Sequence, residues 1–396
     1  MSLSKISEKF ILNRLKKLEN GNLKLINYDG KVFHFGNLES ELSADIKINN
    51  PNFFTNIILG GSSAFGEAHI KKDFYTSNLT NLIEITAKNV KLVYSFSGSL
   101  KLQKLKNFLK TIFASNTKSK RLKNISKHYD LGNDFFSKWL DKSLTYSSAI
   151  YMDQNESLEK AQRNKYQKLI DLLKIKEGNK VLEIGCGWGG FSEYLAKNYN
   201  VSIDCITISK KQFEFSKNRI AASGLDNKVN VKFLDYRDVK DKYDNIASIE
   251  MIEAVGENYL DKYFGTIKNS LKSNGTAAIQ GITISDNLFE RYRRSEDFIQ
   301  KYIFPGGFLP SEKFMKQLIK KHNLSLDKIN TYSDDYAKTL NIWKSNFLNA
   351  WKNISPLGFD EAFKRMWEFY LSYCEAGFKS KNINLIQFSM SNNQSV

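Results

Sequence analysis

The run Val181-Leu-Glu-Ile-Gly-Cys-Gly-Trp-Gly-Gly-Phe191 sets an acid, Glu183, just ahead of glycines at 185, 187 and 189. Glycines at such a bend let the backbone turn tightly and come close to a ligand, with the start of the next helix facing it. Gly185, Gly187 and Gly190 also satisfy the dinucleotide pattern G-x-G-x-x-G. Asp204 lies about 20 residues further on, where a ribose-binding acid belongs, so a nicotinamide or flavin oxidoreductase is one reading. Cys186, Cys205 and Cys374 are odd in number and irregular in spacing, which excludes a disulfide framework and favours a reducing cytoplasm. His34, His69, His128 and His322 stand far apart, with no metal-ligand spacing among them, so no metal is expected.

The elements that must position this loop are legible from Lys180 onward. Val181 to Ile184, Val201 to Ile208, Val229 to Leu234, Asn245 to Met251 and Thr276 to Ile284 alternate with helical stretches, the rhythm of a doubly wound, mostly parallel α/β sheet. Leu326 to Tyr332 and Ile383 to Met390 supply two more strands at one edge, seven in all. In such a sheet the crevice at the carboxyl ends of the strands binds the ligand. Residues 22 to 100 carry short apolar runs, among them Leu82 to Ile85 and Val90 to Phe96, and read as a smaller α+β domain. The uncharged run Pro51 to Gly66 reads there as a loop-flanked strand. Residues 3 to 18 have a helical apolar stripe with a basic opposite face. We place an accessory domain at 1–112, a basic linker at 113–127 and the catalytic domain at 128–396.

The chain has 396 residues with 59 Lys plus Arg against 42 Asp plus Glu, a net charge of +17, and 41% hydrophobic residues. This excludes a disordered or fibrous chain. Lys101 to Lys127 holds nine basic residues and no acid. Such a stretch suits an anionic bilayer, a solvated linker being the alternative, while the overall excess of charge suits nucleic acid or an anionic lipid surface. The opening residues lack the apolar core of a secretory signal, and no run of about 18 apolar residues occurs.

The glycine loop with Glu183 resembles motif I of the S-adenosylmethionine-dependent methyltransferases, where the acid helps to hold the aminoacyl end of the ligand. More specific blocks occur in one order. They are His128-Tyr-Asp-Leu-Gly-Asn-Asp-Phe-Phe136 continuing to Tyr151, Gly185-Cys-Gly-Trp-Gly-Gly190, Ile206-Thr-Ile-Ser209 with Gln212, Asp235-Tyr-Arg-Asp238, Glu250-Met-Ile-Glu-Ala-Val-Gly256, Tyr336 to Trp343, and Tyr373-Cys-Glu-Ala-Gly-Phe378. Over residues 120 to 390 the chain is similar to the cyclopropane-fatty-acyl-phospholipid synthase and mycolic acid cyclopropane synthase family. The resemblance implies a class I methyltransferase sheet. It also implies that Tyr146, Ser147, Gly185, Gly187, Thr207 and Gln212 surround the methionine and ribose of S-adenosylmethionine, with Asp235 and Tyr236 by the adenine and Gly189 in the same loop.

An isolated alkene is a poor nucleophile, so methyl transfer to it needs close alignment in a dry site. A carbocation on the acyl chain then gains up to about 2 kcal/mol from aromatic faces. Tyr129, Tyr146, Phe304, Phe308, Tyr336 and Trp343 are candidates. Loss of a proton closes the cyclopropane ring, and the resemblance implies a bound bicarbonate as base, held by Glu253 and Tyr336. Ser148, Ala254 and Gln280 stand where better-known members have cysteine, histidine and histidine. Serine and glutamine donate hydrogen bonds but carry no charge, so weaker anion binding, or Glu253 itself as base, follows. Cys374 matches a cysteine once assigned as catalytic, a buried structural thiol being the alternative. Arg291, Arg293 and Arg294 fit a lipid phosphate or a solvated helix face.

The expected reaction is transfer of a methylene unit to the cis double bond of an unsaturated phospholipid in an anionic membrane surface. Gln280-Gly-Ile-Thr and Tyr292 to Phe308 also resemble the branch making methylene- or methyl-branched chains. A nucleic-acid methyltransferase is disfavoured, because Glu250-Met-Ile-Glu-Ala stands where an amino-directed enzyme has an Asn- or Asp-Pro-Pro-aromatic run. The expected setting is the cytoplasmic face of the membrane, peripherally bound, with a homodimer allowed because the family includes dimers.

Overall fold

The computed structural model describes residues 2–95 and 131–392, which form two compact units. The basic stretch Lys101 to Lys127, the 113–127 linker, His128 and Tyr129 lie outside the described residues. One unit gathers 2–95 with Glu290–Ile303 and Trp343–Asn382, and the other gathers 131–289, Phe304–Ile342 and 383–392. The division is thus discontinuous along the chain, two C-terminal segments joining the N-terminal residues.

In the first unit β1 (Asn22–Ile26), β2 (Val32–Gly36), β3 (Ser43–Ile48) and β4 (Phe74–Tyr75) form a sheet of order β2-β1-β3-β4. β1 runs antiparallel to β2 and parallel to β3. The stretch expected as a strand over Pro51 to Gly66 is instead the helix Phe53–Ile70, broken at Gly61 where φ is +58°. Its Gly60-Gly-Ser-Ser63 centre dilutes the helical spacing of the buried Phe53, Phe54, Ala64 and Ala68. Of the short apolar runs, Leu82 to Ile85 lies in the helix Leu79–Lys88, started by the Asn78 side chain accepting from the Asn81 N–H, and Val90–Tyr94 is helical too. These runs lack the two-residue alternation of a half-buried strand. Gly66 lies where a Cβ would fall 2.2 Å from Phe298, so only glycine lets the Phe298 and Phe369 rings, 4.6 Å apart, close over this helix. The buried Glu375, on the helix Glu361–Lys379, is neutralised by Lys344 and Lys379, each at 2.8 Å, and accepts from Thr80 Oγ1.

The second unit is built on β5 (Lys180–Ile184), β6 (Ser202–Thr207), β7 (Val229–Phe233), β8 (Tyr243–Ile249), β9 (Leu271–Ile284), β10 (Ser325–Thr331) and β11 (Ile383–Ser391). Their order is β10-β11-β9-β8-β5-β6-β7, parallel from β9 to β7, with β11 antiparallel to both β9 and β10. This is the expected seven-stranded, mostly parallel sheet. Val181, Leu182 and Ile184 are all buried, as a parallel strand covered on both faces requires. Each contributes roughly 1.5–3 kcal/mol of transfer free energy. The chain reverses its direction of winding beside β5, so the carboxyl ends of β5 and β8 open onto the crevice. No helix among the described residues is long and apolar enough to cross a membrane.

Candidate active site

The glycine loop leaves β5 through three residues in the left-handed region, Gly185 (φ +82°), Gly187 (+54°) and Gly189 (+81°), and enters the helix Gly190–Asn198. The N–H groups of Gly185 and Cys186 both donate to the Ile206 carbonyl at 3.0 Å, pinning the loop to the end of β6. A Cβ on Gly185 would fall 2.2 Å from Met251 Cγ, whereas the space beside Gly187 is open. Arg219 fastens the loop from outside. It donates to the carbonyls of Ser143 (2.7 Å) and Trp188 (3.0 Å) while pairing with Glu193 at 2.6 Å.

These elements enclose one cleft. Tyr146, Ser147, Glu183, Gly185, Gly187, Thr207, Gln212, Asp235 and Tyr236, all expected around the cofactor, line it together. Gly189 is not in the lining; it caps the helix behind, where its Cβ would crowd Ser216. Thr207 Oγ1 donates to Gln212 Oε1 at 3.0 Å, and Gln212 is itself placed by the Ser209 cap of the helix Lys210–Ala222. Glu183 accepts from the Ser192 hydroxyl, and burial pushes its pKa up to about 7. Asp235 is held by both nitrogens of the Arg237 fork, at 2.9 and 2.6 Å. The empty wedge at Gly187, the open helix N-terminus and the polar lining fit the nucleoside and amino-acid ends of S-adenosylmethionine.

Asp204, the acid of the dinucleotide reading, does not line this cleft. It is bound by Tyr243 Oη at 2.8 Å and by Lys232 at 2.9 Å, which hold its carboxyl below the ordinary range although burial opposes them. The oxidoreductase reading thereby loses its ribose acid.

The residues expected around a catalytic anion converge on a carboxylate that sequence reasoning left unassigned. Glu250, immediately after β8, lines the cleft. Its Oε1 accepts from the Ser148 backbone N–H at 2.8 Å and from Gln280 Nε2 at 2.9 Å, and its Oε2 accepts from Tyr336 Oη at 2.6 Å. Gln280 is steadied by Gln387 Nε2 at 2.9 Å, a donor from β11. Glu253, expected at the centre, is not in the cleft lining; Oε1 accepts from the Ile282 N–H and Oε2 is buried without a partner among the described residues. Burial, and then the charge on Glu250, push Glu253 up to about 8, so it is mostly protonated at neutral pH. Burial raises Glu250 too, against the pull of Tyr336 and Lys165, and we assign the negative charge of the pair to Glu250 because it has three donors.

Two further residues escaped the sequence reading. Lys165, fully buried on the helix Leu158–Leu173, donates to Ser147 Oγ at 2.6 Å, and burial lowers its ammonium to about 7. Tyr166, on the same helix, meets Thr145 Oγ1 at 2.6 Å. Only an amphipathic pattern marks either in the sequence.

Phe308 packs on Phe289 within this unit. Cys374 belongs to the other unit, where burial and then Asp297 push its thiol far above the ordinary range, the state of a structural rather than a nucleophilic cysteine. Trp343 is in that unit as well. There Arg291 lies over the Tyr94 ring at 3.5 Å, while Arg293 and Arg294 pair with Glu290.

The bicarbonate implied by the resemblance does not fit this site as it stands. The Ser148 N–H, Gln280 and Tyr336 already donate to Glu250, and Ser148 Oγ donates to the Ala149 carbonyl. A second anion would have to displace a carboxylate carrying the same charge.

The chain is 35% identical to the cyclopropane-fatty-acyl-phospholipid synthase of Escherichia coli K12, over 87% of each chain. It is 34% identical to the tuberculostearic acid methyltransferase UfaA1 of Mycobacterium tuberculosis, over 83% of this chain and 79% of that one. Mycolic acid cyclopropane synthase CmaA1, solved complexed with SAH and CTAB, superposes with a TM-score of 0.64 at 26% identity, covering 68% of this chain and 98% of that one. With residues 116–388 also matching the model of the mycolic acid cyclopropane synthetase family, the chain belongs to that family.

Proposed function

We propose that this protein transfers a methylene unit from S-adenosylmethionine to the cis double bond of an unsaturated phospholipid acyl chain, giving a cyclopropane. The observation that carries the proposal is a glycine-loop cleft whose far wall presents a hydrogen-bonded carboxylate, in a chain 35% identical to a cyclopropane-fatty-acyl-phospholipid synthase. When bound, the donor supplies an electrophilic methyl group. Gly185 and Gly187 give it room, and Thr207, Gln212 and Asp235 offer polar contacts. Tyr146, backed by Phe136 and Trp139 at 5.1 and 5.6 Å, brings an aromatic surface to the place where positive charge develops. Tyr336, Ser148 and Gln280 act through the carboxylate they hold.

A methyl- or methylene-branched product is the second reading, favoured by the 34% identity to a tuberculostearic acid methyltransferase. The two differ in which proton leaves the cation. We also propose that the basic stretch Lys101 to Lys127 holds the protein peripherally on an anionic membrane. The test is mass spectrometry of acyl chains after incubation with S-adenosylmethionine and unsaturated phospholipid vesicles. Chains one CH2 heavier that survive mild hydrogenation establish the cyclopropane, and a reducible product establishes the methylene. No mass gain despite cofactor binding overturns both.

A further inference from the structure

We propose that the Glu250 carboxylate is the built-in base of this enzyme, standing where a bicarbonate would otherwise be held and making the free anion dispensable. The inference rests on the acyl-chain methylenation proposed above and names the group that ends it.

Bicarbonate and a glutamate side chain both present a planar, charged CO2 unit, so donors set for one suit the other. Both oxygens of Glu250 are taken up by donors: Ser148 N–H and Gln280 on one, Tyr336 on the other. The chain is also bent to put the carboxylate there. Glu250 is a non-glycine residue at φ +50°, a conformation costing about 1–2 kcal/mol, and its own N–H donates to the Gln280 carbonyl at 2.8 Å. Strain of this kind persists where the surroundings over-determine it, as they do at functional sites. Glu250 also reaches the cleft, which Glu253 does not.

The step balances as follows. The alkene π pair forms a bond to the donor methyl carbon, and the carbon–sulfur pair stays on sulfur, leaving a thioether and a carbocation on the acyl chain. A Glu250 oxygen takes a proton from the transferred carbon, and the released C–H pair closes the ring. The carboxylic acid so formed gives its proton to water when the cleft empties. A group carrying one charge and already in position avoids recruiting a second anion beside it.

The experiment compares the full chain with Glu250→Gln and Glu250→Ala in carbon-dioxide-free buffer, with bicarbonate or formate added back. The wild type is expected to keep its turnover without bicarbonate. Glu250→Gln should lose about 10²–10⁴-fold, and Glu250→Ala should be partly rescued by formate or bicarbonate entering the vacated space. A readout independent of turnover is the [13C]bicarbonate resonance, expected to broaden with Glu250→Ala and to stay sharp with the wild type. Thermal melting identifies any variant that has lost its fold, and Glu250→Asp, which keeps the charge but withdraws it by one CH2, then replaces it, with a large loss of turnover expected. A wild type that makes product only with bicarbonate, or a Glu250→Gln enzyme of normal rate, overturns the inference and leaves the methylenation reading standing. A wild type with no product under any condition overturns the methylenation reading itself.

Discussion

Two glutamates three residues apart, Glu250 and Glu253, take opposite states because their surroundings differ. Glu253 has one donor and a charged neighbour, and its folded pKa lies near 8 against an ordinary 4.5. A raised carboxyl pKa means that the folded state binds the proton more tightly. The stability it contributes is therefore complete below about pH 4.5 and is lost as pH rises toward 8. Glu253→Gln, which mimics the protonated acid, should flatten the fall of melting temperature over that window; a fall unchanged by the substitution would refute the assignment. Gly187→Ala separates binding from folding. Its left-handed backbone costs about 1–2 kcal/mol with an added Cβ, yet that Cβ meets open space and points where a ligand must come. Calorimetry should show cofactor affinity falling by more than the melting temperature implies. Gly185→Ala should lose both, since its Cβ also runs into Met251. The glycine loop was readable because glycine alone tolerates those angles. The choice between Glu250 and Glu253 was not, because it turns on one residue at φ +50° that no side-chain type announces.

At the scale of the elements, the parallel strands were legible as unbroken apolar runs, for a strand buried on both faces has no polar side to show. In the first unit the helix expected near the N-terminus is present over Leu3–Leu15, but the helix Phe53–Ile70 was misread as a strand, since short apolar stretches rich in small residues carry little period. The helix Lys210–Ala222 shows how an element's ends serve the site. Ser209 caps it, Gln212 in its first turn lines the cleft, and Arg219 in its last turn ties down two carbonyls. Ser209→Ala should cost about 1 kcal/mol and, by freeing the first turn, weaken cofactor binding. Arg219→Ala, which removes the half-buried partner of Glu193 and the clasp on two carbonyls, should cost about 1–3 kcal/mol. Both are checked by denaturant titration alongside binding calorimetry, and an Arg219→Ala protein with wild-type values in both would refute this role for the clasp.

For the whole molecule, the excess of 17 positive charges is a property of the sequence that no single site explains. Reversing several charges between Lys101 and Lys127 should abolish flotation with anionic vesicles, and raised salt should weaken flotation of the unaltered chain. Flotation unchanged by the reversal would remove the membrane role of this stretch. Composition made the basic character plain, but it could not reveal that the units interleave along the chain, because contacts between distant segments leave no local pattern.

The order of synthesis adds a constraint to this architecture. β11 lies between β9 and β10 and brings Gln387 to the support of Gln280, yet it is translated last of the three. At roughly 5–20 residues per second, the roughly 100 residues between β9 and β11 occupy the ribosome for about 5–20 seconds. Throughout that interval the β9 edge has no partner on this side. A nascent chain of this protein is therefore a ready client for a holdase, and slowed translation past β9 prolongs its exposure to aggregation.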